Sequence, residues 1–451
     1  MKFGRFILEV TIAGILYWSF PEGANHISII GFMLLYLFQV ISIIRGQRYE
    51  KSFLSFNVLF FTMLTLVTYL IPLLYLLDLD SFIVSIILYD TKYIPKSLFL
   101  TSIAVSFYGL GFQKGEFLSY NKGFNSLVVG LTSLLKRSKV WVLIATVVFF
   151  ISYSATVALG LKDIPGLIVT FINCIFIFAL IITGYSNKEL KLRLIPFLKH
   201  HLTIYICTAI IIVSMLVLGD RYTPICLAVT SLFVINKFVH RFSILQFLLI
   251  IIAGFVVLVG VSLTRNTSDK KEALNQEDNV VVYFQDVVPI NLDFYLGLEW
   301  KDKNGLYKPG RIFQILVYPI PFAPTIVQNL FFDGEELASG RVLTDYNKNN
   351  NPAEHSNAGV GTHAILDIYM SWGILGIMFF FYWFGRLVGL SGKRSDNIYY
   401  LLIYGAFVSR AIYIPRETIF VPYRDIVYIL LIAALIIHTK TKTDGQRRLG
   451  Y

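Results

Sequence analysis

Charge is what this chain has least of. Asp, Glu, Lys and Arg make up 15% of its 451 residues, against 56% hydrophobic residues. A soluble chain carries about a quarter charged residues, so this balance excludes an ordinary soluble enzyme of two or three domains. Cysteine is scarce too. Cys174, Cys207 and Cys226 fall in apolar runs and none in a polar loop, which argues against a structural disulfide or a thiolate metal site. There is no Gly-rich Lys-Ser/Thr loop and no G-x-G-x-x-G following a strand, so no nucleotide donor is signalled. No cleavable leader is evident: the run from Phe6 to Phe20 follows Lys2 and Arg5, lacks a small-residue cleavage site, and reads as a first span. No internal repeat or low-complexity tract is visible.

What is present is a series of apolar runs of about 17 to 25 residues, the length that crosses a hydrocarbon core. They predict spans near 4–20, 24–44, 53–76, 97–113, 140–160, 166–184, 202–218, 224–238, 244–264, 362–388, 398–414 and 425–438. The expected fold class is an all-α polytopic integral membrane protein of about 12 transmembrane helices. Helices 1–9 occupy 1–264, a large outer loop 265–361, helices 10–12 residues 362–438, and a basic tail 439–451. The net charge of +11 resides mainly in the tails and in loops near 45–51, 114–139, 188–199, 237–241, 386–394 and 440–448. The positive-inside preference puts these segments, and both termini, in the cytoplasm. The basic balance is thus a topology signal and implies no nucleic-acid partner.

The outer loop opens with the solvated run TRNTSDKKEALNQEDN and continues with two apolar stretches, VVYFQDVVPINLDFYLGLEW and RIFQILVYPIPFAPTIVQNLFF. Pro319, Pro321 and Pro324 argue against a continuous helix in the second. A crossing there would also invert the rest of the chain and place Lys393, Arg394 and the basic tail outside. Both stretches are expected as short amphipathic or re-entrant helices at the outer interface, apolar faces on lipid.

Several arginines then stand on the side where the charge rule disfavours them. Arg221 lies in GDRYTP, Arg265 follows a span, and Arg410, Arg416 and Arg424 lie in SRAIYIPRETIFVPYRD. Each has a bland reading, pairing with neighbours such as Asp220, Glu417 or Asp425, or snorkelling. Several together beside one loop favour an anion site, because a guanidinium makes two parallel charge-assisted bonds to a phosphate. Asp78-Leu79-Asp80 is an isolated D-x-D and reads as ordinary loop acids; no metal is expected.

The stretch PAEHSNAGVGTHAILDIYMSWGILG carries polar groups into the tenth span. Glu354, His355 and Asn357 fall at its outer mouth, where a carboxylate or imidazole is suited to accept a proton from a sugar hydroxyl. Gly359 and Gly361 permit close backbone approach to a ligand. His363 and Asp367, spaced i,i+4, share a helical face and are able to pair; a structural hydrogen bond is the competing reading.

In order and topology, GDRYTPICLAVTSLF, Thr264-Arg265, EHSNAGVGTHAILDIYMSWGILGIMFFFYWFGRLVG and PRETIFVPYRDIVYILL resemble the Wzy-type O-antigen and oligosaccharide repeat-unit polymerases. The resemblance implies a C-type membrane glycosyltransferase of the bacterial inner membrane, active at its periplasmic face. Its donor and acceptor would be undecaprenyl-pyrophosphate-linked oligosaccharides, with no cofactor or metal and with a separate chain-length regulator as partner. On that basis Arg221, Arg265, Arg416 and Arg424 bind pyrophosphate, His355 or Glu354 activates the acceptor, and Arg410, Arg311, His363, Asp367 and Asn357 lend support. An O-antigen ligase and, as the non-enzyme reading, a repeat-unit flippase stay open. A sugar transferase using Asp78 and Asp80 is a further alternative.

Overall fold

The computed structural model describes residues 3–20, 23–47, 52–77, 91–117, 131–159, 166–265, 288–333, 339–350 and 361–448. Regular structure among them is helical. The first half holds α1 Phe3–Trp18, α2 His26–Gly46, α3 Phe56–Leu76, α4 Tyr93–Phe117, α5 Leu131–Ala158 and α6 Gly166–Leu190. It continues with α7 Leu194–His200, α8 Leu202–Val217, α9 Tyr222–Phe238 and α10 Ile244–Arg265. Beyond come α11 Val288–Asn304, a 3-10 turn Pro309–Arg311, α12 Ile312–Val317, α13 Ala323–Phe331 and α14 Ser339–Asn350. The last elements are α15 Ala364–Lys393, α16 Ile398–Arg410, a second 3-10 turn Ile414–Arg416, and α17 Val421–Arg448.

A helix stands at each expected apolar run. By length and composition, α2, α3, α6 and α15 are able to cross a membrane, and α7 with α8, bent by 84°, forms a fifth candidate if taken as one span. The chain is therefore an α-helical, multi-pass membrane protein. The last helix runs on to Arg448, so residues 439–448 are helical.

The centre of the bundle is the contact between α4 and α15. Gly111 and Gly115 of α4 face Gly385 and Gly389 of α15, and a Cβ at any of the four would overlap the backbone of the other helix. In a medium where lipid tails are as apolar as leucine, such close approach supplies the packing that holds helices together. Phe56, Phe60, Tyr108, Phe384 and Phe407 fill the space beside this seam with edge-on and stacked rings.

Helix α15 is not continuous. Gly373 has φ +64° and ψ −158° and splits it below its tenth residue; only glycine adopts that geometry without strain. The Met370 carbonyl accepts a bond from the Tyr307 amide at 2.8 Å, and Trp372 Nε1 donates to the Pro309 carbonyl at 3.0 Å. The break therefore ties the first 3-10 turn to the upper part of α15.

In the long loop, Arg311–Phe332 forms two short helices instead of a span. The chain turns at Tyr318–Phe322, where Pro319 and Pro321 fall and Phe322 takes φ +64°. Phe313, Leu316, Phe322, Leu330 and Phe331 stay exposed there, an apolar face that the described residues do not cover. The other apolar stretch departs from expectation. Helix α11 was expected to lie against lipid, yet Phe294, Tyr295 and Leu298 are buried where it packs against α3, α4, α14 and α15. Gly297 explains the fit, since the Leu366 side chain occupies the space where a Cβ would stand.

Candidate functional site

The first turns of four helices meet around one cavity of about 500 Å³, a size typical of small-molecule sites. Tyr222 opens α9, Ser339 to Arg341 open α14, Asp367 lies in the first turn of α15, and Val421 and Arg424 lie in that of α17. Helix amino ends carry about half a positive charge each, and two first-turn amides are already capped, that of Tyr222 by Asp220 Oδ1 and that of Ile365 by His363 Nδ1. The convergence of these ends favours an anion.

The side chains reinforce this. Arg311, Arg341, Arg416 and Arg424 line the cavity, against the carboxylates of Asp367 and Glu417. Arg311 Nη2 donates to Asp367 Oδ1 at 2.6 Å, and Ser339 Oγ donates to the same oxygen at 2.6 Å. That one carboxylate thus clips together the 3-10 turn, α14 and α15. Among the described lining residues the remaining arginines outnumber Glu417, so their formal charges sum to a positive value. Arg311 Nη1 and Arg424 Nε are buried without a hydrogen-bond partner among the described residues, and such donors are costly unless something fills them. Glu417 is pushed above the usual carboxylate range by desolvation, with Arg410, Arg416 and Arg424 pulling it back.

Aromatic side chains hold the basic groups in place. The Arg424 guanidinium lies 5.5 Å from the Tyr318 ring, and Tyr423 Oη donates to the Leu316 carbonyl at 3.3 Å, so α17 and α12 are joined beside the cavity. Arg410 lies 4.1 Å from the ring of Tyr222, which itself lines the cavity.

Of the arginines expected to bind pyrophosphate, Arg416 and Arg424 are brought together at the cavity. Arg221 is the cap residue next to Tyr222, and its carbonyl accepts from Tyr413 Oη at 2.9 Å; its guanidinium is not among the lining groups. Arg265 ends α10, and its side chain lies outside the described residues. Arg311, expected only as support, is a wall residue. Arg410 is 1% exposed and bonded through Nε to Asp425 and through Nη1 to Cys226 Sγ at 3.0 Å, a buried ion pair behind the wall. Asp425 thus serves Arg410 and not its sequence neighbour Arg424.

His363 and Asp367 do not pair, contrary to the i,i+4 expectation. His363 is the N-cap of α15: its Nδ1 accepts the Ile365 amide at 3.2 Å, its Nε2 lies 3.0 Å from Thr68 Oγ1, and its ring stacks on Phe294 at 4.3 Å. A backbone amide only donates, so Nδ1 is the acceptor and Nε2 carries the proton towards Thr68. As the N-cap, His363 has extended backbone (φ −113°, ψ 134°), so it lies outside the helical i,i+4 spacing that would have set it beside Asp367. Glu354, His355, Asn357 and Gly359, with Asp78 and Asp80, lie outside the described residues. Gly361 and Thr362, which follow that stretch, line the cavity.

Arg341 escaped the sequence reading. Its signal was the Gly-Arg pair Gly340-Arg341, which repeats Gly310-Arg311 in the same loop and likewise stands at a helix start. The class these observations define is a multi-pass helical membrane protein with an arginine-rich cavity at converging helix ends. No protein-family model, no curated protein and no solved structure matches the chain.

Proposed function

We propose that the chain is a repeat-unit polymerase of the O-antigen type, a membrane glycosyltransferase of C-type architecture with about 12 spans. It would sit in the bacterial inner membrane with both termini cytoplasmic and the cavity open to the periplasm. The observation that carries this reading is the meeting of four arginines and four helix amino ends at one cavity. That is a site for an anion with more than one phosphate, set among apolar helices that suit a lipid carrier.

In the reaction, a hydroxyl oxygen of the incoming lipid-linked unit attacks the anomeric carbon of the growing chain. The new glycosidic C–O bond forms as the bond from that carbon to the pyrophosphate oxygen breaks, and its electron pair leaves with undecaprenyl pyrophosphate. The hydroxyl proton passes to His355 or Glu354. Arg416, Arg424, Arg341 and Arg311 hold the pyrophosphate and stabilise the charge that grows on its bridging oxygen. One guanidinium about 4 Å from that charge contributes on the order of 4 kcal/mol at an effective dielectric constant near 20. Losing one pre-placed donor of this kind costs about 10²- to 10³-fold in rate. No metal or nucleotide takes part in this scheme, and a chain-length regulator is the protein partner.

The test is reconstitution of the purified chain with lipid-linked repeat units alone. Multi-repeat products without added metal or nucleotide are expected. Movement of intact units between leaflets without lengthening would identify a flippase instead. Transfer only to a lipid A core acceptor would identify a ligase.

A further inference from the structure

Behind two of the lining residues lies a carboxyl group that the scheme above does not use. Asp293 of α11 is 1% exposed. The Gly361 amide donates to it, while its Oδ2 has no partner among the described residues. A Cβ built on Gly361 would stand 3.1 Å from that oxygen and 4.0 Å from the Arg416 carbonyl. Carboxyl and Gly361 backbone are therefore in direct contact, with the Arg416 backbone close by, and Gly361 and Arg416 form part of the cavity wall.

Among the described residues, Arg416 is the charged group that acts on Asp293. Among the elements packed on α11, α3 carries no charged residue. On α15, Asp367 is held by Arg311, and the cap His363 is taken up by Thr68 and the Ile365 amide. On α14, Arg341 lines the cavity, and Asp345 and Lys348 are exposed. On α11 itself, Glu299 pairs with Lys303, and Asp302 pairs with Lys96 of α4. Burial pushes the Asp293 carboxyl up to about 8, against the opposing pull of the Gly361 amide and Arg416.

We propose that Asp293 is a positioning residue of the anion site, holding the Gly361 backbone and binding its proton more tightly when an anion occupies the cavity. A carboxylate here repels the incoming anion and competes with it for the Arg416 guanidinium. The neutral carboxyl keeps an oxygen to accept the Gly361 amide and removes both effects. Binding and protonation are then linked reciprocally. Each unit by which the anion raises the Asp293 pKa makes binding about tenfold tighter below that pKa than above it.

The inference rests on the anion-site reading, and the experiment separates the two. Sulfate, whose charge is constant over the range used, is titrated into the full-length chain in detergent micelles from pH 6.5 to 9.5. Wild-type affinity is expected to fall about tenfold as pH rises through about 8. Asp293→Asn has no proton to lose, and its affinity should be flat to within about twofold across the range. A merely structural role would lower affinity equally at every pH. Gly361→Ala crowds the carboxyl, weakens the amide bond that favours ionisation, and should move the wild-type midpoint to higher pH; it decides the matter if Asp293→Asn does not assemble. An Asp293→Asn profile that follows the wild-type curve, or an unmoved midpoint in Gly361→Ala, overturns the role of Asp293 alone. Sulfate that fails to bind the wild type at any pH removes the anion site and this inference with it.

Discussion

Removing Arg311 should expose how the cavity wall is held. Its guanidinium bonds Asp367 at 2.6 Å, and the two side chains are 7% and 2% exposed. Arg311→Ala leaves a carboxylate in a dry setting with the Ser339 hydroxyl as its main partner. Breaking one side of such a pair costs about 3–5 kcal/mol. Ser339 and the amino end of α15 remain, and a charge in a helix first turn gains about 0.3–1 kcal/mol. A loss near the lower bound, about 3 kcal/mol, is therefore expected. Asp367→Asn should cost a similar amount, because it strands a guanidinium that already has one unpartnered nitrogen. The double variant Arg311→Ala/Asp367→Asn strands neither charge and should recover about 2 kcal/mol relative to the sum of the single changes. Unfolding from mixed micelles by added dodecyl sulfate, followed by tryptophan emission, measures all three. A coupling below about 0.5 kcal/mol, the level of independent sites, would refute the view that this ion pair clips the 3-10 turn, α14 and α15 together.

Two further outcomes follow from the same geometry. Arg416→Ala and Arg424→Ala should each lower elongation about 100-fold or more without loss of expressed protein; near-normal product ladders from both would reject the pyrophosphate assignment. Gly385→Ala places a methyl group against the Tyr108 carbonyl, which forces the α4–α15 seam apart. It should cut the yield of folded protein in detergent, while Gly14→Ala, with no atom within 4 Å of the added carbon, should not.

The sequence was enough to determine the broad class of protein, an α-helical membrane chain, and the place of its long apolar helices. Hydrophobic length and lysine and arginine placement act locally, since each segment must satisfy its own backbone and bury its own apolar surface. The three prolines likewise announced the break between α12 and α13. The site was only partly legible. The clustering of arginines in SRAIYIPRETIFVPYRD marked Arg416 and Arg424, and the structure brings them to one cavity. What surrounds them was decided by tertiary packing. Local reading paired Asp425 with Arg424 and Asp367 with His363, but in the fold Asp425 bonds Arg410 and Asp367 bonds Arg311, 56 residues away. The loop helix α11 was expected at a lipid interface, yet Gly297 and the Leu366 side chain seat it against the bundle, which is what carries Asp293 behind the cavity wall. A chain reports what each segment prefers; which buried charge meets which partner is set by distances that exist only once the helices have packed.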